Sequence, residues 1–108
     1  MVTRKFPRFL TRLPSMLVRR DKLRYDGEVC DVSIKGCRVE SPIKSFTGMQ
    51  LEISFQFPGE TTPIVISNAT VRWTGSRGIG IEFLKIDPAQ EARLKSLISQ
   101  IATKNTAA

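Results

Sequence analysis

The chain has 108 residues, of which 41% are hydrophobic and 25% charged, so it is long enough for one hydrophobic core but not for two. Its net charge of +7 is localised, because residues 1–24 hold eight Lys or Arg and a single acid while the remaining 84 residues are neutral. This distribution predicts an anion-attracting segment at the N-terminal end and excludes a uniformly basic protein.

The sequence gives little evidence for a metal site, a disulfide bond or a membrane-spanning segment. The chain has no His and only Cys30 and Cys37, which is too few ligands for an ordinary structural metal site, so we predict no metal and no cofactor. The two cysteines are interpreted as reduced packing residues, with a disulfide across the turn between them as the alternative. Arg12 and Pro14 interrupt any signal-peptide core, and no apolar run reaches membrane-spanning length. We therefore predict a cytoplasmic protein.

The first half of the chain reads as a basic arm followed by short strands. Pro7 and the charge density argue against a helix in residues 1–12, which we predict to be mobile in the free protein. Three strands are predicted next, the second turning or interrupted near the Asp26-Gly27 pair. Their expected bounds are Leu13–Val18, Leu23–Val32 and Cys37–Glu40.

The second half carries the clearest periodicity. Met49–Phe57 alternates apolar and polar residues strictly, and Ile64–Trp73 alternates with a slip near Ser67-Asn68 that predicts a β-bulge. A tight loop at 75–80 leads into a last strand through Ile79, Ile81 and Phe83. Asp87 and Pro88 then form the start of a helix. Its apolar stripe is predicted to pack on the sheet and consists of Leu94, Leu97, Ile98 and Ile101.

Many short antiparallel strands followed by one amphipathic helix predict an all-β fold, a small closed or nearly closed barrel with a C-terminal helix. The predicted organisation is a basic arm over residues 1–12, the barrel with its helix over residues 13–103, and a disordered tail over residues 104–108.

Two polar segments are candidates for binding. In the arm, Arg4 and Arg8 are spaced Arg-x-x-x-Arg, and such guanidiniums bind phosphate or a guanine edge with two hydrogen bonds. Asp31-x-Ser33-x-x-Gly36 lies between two predicted strands, where an acid, a hydroxyl and a bare backbone are presented together. Both segments have an ordinary alternative, a solvated arm and a plain hairpin turn.

Together these segments resemble the two-part signature of PilZ domains. Arg4-x-x-x-Arg8 precedes Asp31-x-Ser33-x-x-Gly36 by 22 residues, and Val71-Arg72-Trp73 and Gly78-Ile79-Gly80-Ile81-Glu82-Phe83 are similar to later strands of that family. The resemblance spans roughly residues 4 to 101. Arg20 and Arg24 repeat the arginine spacing but lie too close to Asp31 to leave room for an intervening strand.

The resemblance implies a six-stranded barrel that binds the bacterial second messenger cyclic di-GMP. By position, Arg4 and Arg8 would fold over the ligand and engage its guanines and phosphates. Asp31 and Ser33 would hydrogen-bond the ligand, and Gly36 would allow it to approach closely.

Two further residues are interpreted from their place in the strands. Arg38, on the polar face of the third strand, is expected to add a phosphate or guanine contact. Trp73 is interpreted as a core residue, with a stacking surface for a base as the alternative.

No residue constellation for catalysis is evident, so we predict a receptor and not an enzyme. Three functions of different class remain. They are a cyclic di-GMP receptor or adaptor in motility, biofilm or exopolysaccharide control, a ligand-independent protein-interaction module, and a barrel that binds single-stranded nucleic acid. The aromatic residues are few and most alternate into the core, which disfavours the last. The downstream protein partner is not encoded in any motif of the chain.

Overall fold

The computed structural model describes residues 7–106 and forms six strands and one helix. The strands close into a barrel in the order β1-β2-β3-β6-β5-β4, and every neighbouring pair is antiparallel. This confirms the predicted barrel with a C-terminal helix. The elements are β1 (Phe9–Arg19), β2 (Arg24–Val32), β3 (Gly36–Glu40), β4 (Gln50–Phe55), β5 (Ile64–Gly75), β6 (Gly78–Lys85) and α1 (Pro88–Thr106).

The alternation of β4 places its apolar side chains inside the barrel. Leu51, Ile53 and Phe55 are almost completely buried, while the polar residues between them face outward or lie at intermediate depth. Burial of one such side chain stabilises the fold by about 1.5–3 kcal/mol, and all six strands contribute to the same core. The strict period of two therefore identified the inner face of this strand correctly.

Helix α1 closes the chain against the barrel. The Asp87 carboxylate accepts a hydrogen bond from the Ala89 backbone N–H at 2.8 Å, as an N-cap does. Leu94, Leu97 and Ile98 are buried, which confirms the predicted apolar stripe. Gln90 uses its side-chain oxygen to accept the Val65 N–H at 3.0 Å, so it ties the helix to β5.

Several boundaries differ from the predicted ones. Strand β1 begins at Phe9 and not at Leu13, so part of the predicted arm pairs with β2. Strand β2 runs unbroken through Gly27, where a Cβ would lie 2.9–3.0 Å from the Leu17, Ser15 and Val39 side chains. Gly27 is therefore needed because neighbouring side chains leave no room for a Cβ, and it does not form a turn.

The C-terminal boundaries differ as well. The predicted loop at 75–80 is a two-residue hairpin turn between the paired Gly75 and Gly78, and Gly78 adopts a positive φ of 113°. Helix α1 extends to Thr106, beyond the predicted barrel boundary at residue 103. Among the described residues no helix has the length and apolarity needed to cross a membrane.

Three of the five register irregularities in the barrel decide which side chains near the site leave the core. The predicted one is confirmed, since one β4 residue, Glu52, stands opposite the pair Ser67-Asn68 of β5. A second extra residue, Cys30, lies in β2 opposite β3, and a third, Arg72, lies in β5 opposite β6. Each inserted residue reverses the inward and outward alternation that follows it.

Candidate functional site

A row of residues crosses the outer face of the barrel from strand to strand. Leu10 of β1 pairs with Asp31 of β2, which pairs with Arg38 of β3. Arg38 in turn pairs with Gly80 of β6, and Gly80 pairs with Trp73 of β5. Directly paired residues on one face lie within side-chain reach, so an acid, a cation and an aromatic ring are brought together on rigid strands.

Asp31 reaches this face because of the bulge at Cys30. Without the extra residue, Asp31 would follow Val29 two positions later and point into the core beside it. Its carboxylate instead accepts a hydrogen bond from Arg8 Nη1 at 2.8 Å and one from Arg38 Nε at 3.0 Å. One half-buried carboxylate therefore fixes two guanidiniums that belong to different strands or their flanks.

Arg38 is held from three sides. Its Nη1 donates to the Arg77 backbone carbonyl at 2.7 Å and lies 3.3 Å from the Glu40 carboxylate, in addition to the contact with Asp31. The hydrogen bond to Asp31 raises the pKa of Arg38 above its ordinary value, so the side chain is a permanent cation. A cation fixed in this way loses little conformational entropy when it binds an anion.

Arg8 is less constrained and lies just before β1. In the described contacts it spends one of its five N–H donors on Asp31, and about a quarter of its side chain is exposed. It lines two neighbouring grooves, on either side of Trp73. Arg8 therefore borders open space on both sides of Trp73, and Asp31 sets its position.

Trp73 is exposed, contrary to its interpretation as a core residue. The bulge at Arg72 takes it out of phase with the buried Val71 and turns it to the outer face, where 42% of it is exposed. Its indole lies directly on Gly80, at which a Cβ would come within 2.1–2.6 Å of ring atoms. The missing side chain of Gly80 thus lets the Trp73 ring pack directly on the strand. This placement fits the alternative interpretation of Trp73 as a stacking surface for a base.

Replacing Gly80 with alanine is expected to lift the indole off the sheet. Trp73 is the single tryptophan of the chain, so intrinsic fluorescence reports its environment alone. The emission maximum of Gly80→Ala should shift to longer wavelength while far-ultraviolet circular dichroism stays unchanged. Gly75→Ala is the matched control, because a Cβ at that position meets no atom within 4 Å. An unshifted emission spectrum of Gly80→Ala would contradict the packing of Trp73 on Gly80.

The row borders a groove of about 850 Å³, within the range of small-molecule sites. Cations, two carboxylates and apolar surface share its walls, and its lining includes Arg8, Leu10, Asp31, Arg38, Glu40, Trp73 and Arg77. A second groove of about 280 Å³ lies on the other side of the indole and is lined by Arg8, Lys35, Arg72 and Glu82 among others. This surface suits a ligand that is both anionic and aromatic.

Ser33 and Gly36 lie next to the row but line neither groove. The Ser33 hydroxyl is buried, accepts the N–H groups of Lys35 and Gly36 at 3.1 and 3.2 Å, and lies 3.3 Å from the Gly36 carbonyl. Gly36 has no positive φ, and a Cβ there would stand 2.3 Å from the Ile81 carbonyl oxygen. Their described contacts build the β2–β3 turn, so contact with a ligand stays a prediction for both.

Ser33→Ala is expected to lower the free energy of unfolding by about 1–3 kcal/mol, because it removes a buried hydroxyl that satisfies two backbone N–H groups. Urea denaturation followed by circular dichroism measures the change. Ser41→Ala is a control, since that hydroxyl also bonds backbone but lies at the exposed rim of the barrel. Equal stability of Ser33→Ala and the parent chain would show that the turn forms without the hydroxyl.

The two arginine pairs are separated by the structure. Arg8 lies beside Asp31, whereas Arg4 is outside the described residues. Arg20 and Arg24 lie at the far end of the β1–β2 hairpin, where Val18 pairs with Arg24. From Leu10 to Val18 the strand covers roughly 26 Å at 3.3 Å per residue, so Arg20 and Arg24 cannot reach Asp31.

Sequence reasoning missed Glu40 and Leu10 as groove residues. Glu40 lies two positions after Arg38 on the same strand, and the period of two could have placed both on one face. Glu40 also lies near Glu28 and Cys30, with their possible ligand atoms within 4.8 Å of one another, but both carboxylates already pair with arginines.

The thiols fit the interpretation as reduced packing residues. Cys30 and Cys37 are both free and buried. Burial raises the pKa of the Cys30 thiol, and hydrogen bonding to Glu40 adds to this effect. Burial likewise raises the pKa of Cys37, so both groups are protonated at neutral pH.

The sequence model of the PilZ domain matches residues 3–100. The chain belongs to the PilZ domain family. No curated protein matches it. This PilZ domain is similar in fold to the PilZ domain of YcgR from Escherichia coli solved with c-di-GMP, with a TM-score of 0.68 and 15% identity over 99% of this chain and 100% of that one.

Two other solved structures share the fold. The PilZ domain of CeSA from a cellulose-synthesizing bacterium aligns with a TM-score of 0.67 and 17% identity over 87% of this chain and 97% of that one. The Bacillus subtilis inhibitor of motility MotI/DgrA aligns with a TM-score of 0.72 and 19% identity over all of this chain, which spans 55% of that protein.

Proposed function

We propose that this PilZ domain is a receptor for cyclic di-GMP and binds it in the outer groove beside Trp73. The observation that carries the proposal is the Asp31 carboxylate, which holds the guanidiniums of Arg8 and Arg38 next to an exposed indole. Membership of the family and the YcgR domain solved with this ligand support it.

The chemistry of the groove matches the ligand. Cyclic di-GMP carries two phosphates and two guanines, and a guanidinium binds either a phosphate or the O6/N7 edge of guanine with two hydrogen bonds. Arg8 and Arg38 supply these donors, while Trp73 offers a ring face for stacking against a purine. Asp31 sets the geometry of both arginines. Arg4 would add a second guanidinium from the N-terminal segment, and this contribution rests on the Arg-x-x-x-Arg motif alone.

Binding would act as a signal through surface change. Arg8 and Arg38 stand beside Asp31 and Glu40 in this groove, so two entering phosphates make its surface more negative, which alters recognition by a partner. No step of covalent chemistry is needed for this, so the proposed role is that of an adaptor and not an enzyme. Motility is the process suggested by the MotI neighbour, with biofilm and exopolysaccharide control as further settings.

Calorimetric titration with cyclic di-GMP tests the proposal, with Trp73 fluorescence recorded in parallel. We expect saturable binding, and quenching of the single indole as a base covers it. Cyclic di-AMP is the matched control ligand, since adenine presents a donor where guanine presents O6. Absence of binding by cyclic di-GMP would favour a ligand-independent interaction module, and saturable binding of oligothymidylate instead would favour the nucleic-acid reading.

A further inference from the structure

The far end of the barrel carries a second charged surface that the proposed ligand site does not use. We call it the hairpin-tip patch. It consists of two adjoining grooves of about 420 and 320 Å³ around the β1–β2 turn. Its charged and aromatic members are Arg19, Arg20, Asp21, Lys22, Glu52, Lys85 and Phe46. Four cations outnumber two carboxylates there.

Lys22 at the tip of the turn is held in an unfavourable backbone conformation. Its φ is 73°, the only positive value at a non-glycine residue in the described part of the chain. The turn is fixed around it, because Lys22 N–H donates to the Arg19 carbonyl and Arg19 N–H donates to the Leu23 carbonyl, each at 2.9 Å. Asparagine or glycine would fit this position with less strain. A cation kept where it costs stability points to a use for its charge.

Phe46 adds an apolar element to the same surface. It is 66% exposed and lines the groove shared with Arg19 and Arg20. A large aromatic side chain left in water beside fixed cations is a typical anchor of protein interfaces. Arg19 and Arg20 are already positioned, by Asp21 and by Gln50 respectively.

We propose that the hairpin-tip patch docks an acidic protein segment that also carries an apolar side chain. The excess of cations attracts carboxylates, and Phe46 with its groove accepts the apolar group. Asp21 and Glu52 lie among the cations, so a uniform polyanion such as nucleic acid or an anionic bilayer would meet repulsion there. A protein segment can match a surface of mixed charge residue by residue.

This inference is independent of cyclic di-GMP and is tested without it. The ¹⁵N-labelled full chain is titrated with a synthetic peptide of glutamate, leucine and phenylalanine, and amide shifts are followed by NMR. We expect shift changes at residues 19–24 and 46–50 and little change at Asp31 or Trp73. Arg20→Glu should lower the affinity for the peptide about tenfold or more. Lys95→Glu is the matched control, because it changes the net charge equally at an exposed helix position.

Lys22→Asn separates docking from folding. It should raise the thermal midpoint of unfolding, because asparagine tolerates the positive φ. At the same time it should lower the affinity for the peptide. Equal weakening by Arg20→Glu and Lys95→Glu, or peptide shifts that avoid the patch, would overturn the proposal. So would stronger binding of phosphatidylglycerol vesicles or oligothymidylate than of the peptide at these residues.

Discussion

Arg8→Ala is expected to weaken cyclic di-GMP binding by about 30- to 1000-fold, which corresponds to about 2–4 kcal/mol for a charged contact in a desolvated site. Arg8 contacts Asp31 through a single guanidinium nitrogen and lies before the first strand, outside the hydrophobic core, so the fold should survive the change. Calorimetric titration gives the affinity, and thermal unfolding shows whether the barrel is intact.

Arg20→Ala is the matched control for this experiment. It removes an arginine of the same spacing pattern from the opposite end of the hairpin, where its partner is Gln50. Its affinity for cyclic di-GMP should equal that of the parent chain. The reverse result, with Arg20 required and Arg8 dispensable, would contradict the placement of the ligand beside Asp31 and Trp73.

Gly36→Ala should have the largest effect on stability, about 3 kcal/mol, which lowers the thermal midpoint by roughly 15 °C. The added Cβ would stand 2.3 Å from the Ile81 carbonyl oxygen, a backbone atom of the paired strand β6 that has no rotamer through which to move away. The β3–β6 pairing must therefore open locally. Differential scanning calorimetry measures the shift in midpoint.

Gly75→Ala provides the comparison for Gly36→Ala. Gly75 also lies in a strand, but nothing stands within 4 Å of a Cβ there and its φ is not in the left-handed region. Its midpoint should change little. If Gly36→Ala were as stable as Gly75→Ala while losing cyclic di-GMP, the bare position would serve the ligand and not the sheet.

The core and the helix could be predicted because their signals are local. Leu51, Ile53 and Phe55 alternate without interruption, and the spacing of Leu94, Leu97 and Ile98 matches one helical face. Period alone assigns such residues to the inside. Asp31 and Arg8 were selected from the motif and both line the outer groove, while their contact with a ligand stays a prediction.

The exposure of Trp73 could not be predicted, because the bulge that turns it outward is defined by its partner strand. Val71 and Trp73 are in phase along the chain, and only the pairing with Ile81 and Gly80 shows that Arg72 is an extra residue. The role of Gly36 could not be predicted either, because it too depends on the partner strand. A glycine near a turn suggests backbone freedom, whereas its requirement comes from the carbonyl of a residue far away in the sequence.

Closure of the barrel limits how other proteins can bind this domain. Each of the six strands pairs with two neighbours, so in the described part of the chain only short strand ends, such as residues 9–13 of β1, lack a partner on one side. Strand addition, the mode in which backbone hydrogen bonds supply the affinity, is thereby limited to these short ends. Recognition then depends mainly on side chains of the outer wall and of the hairpin ends, and cations outnumber acids at the β1–β2 end. Complexes built on such contacts loosen as ionic strength rises, so the salt concentration of the surroundings becomes part of the domain's specificity.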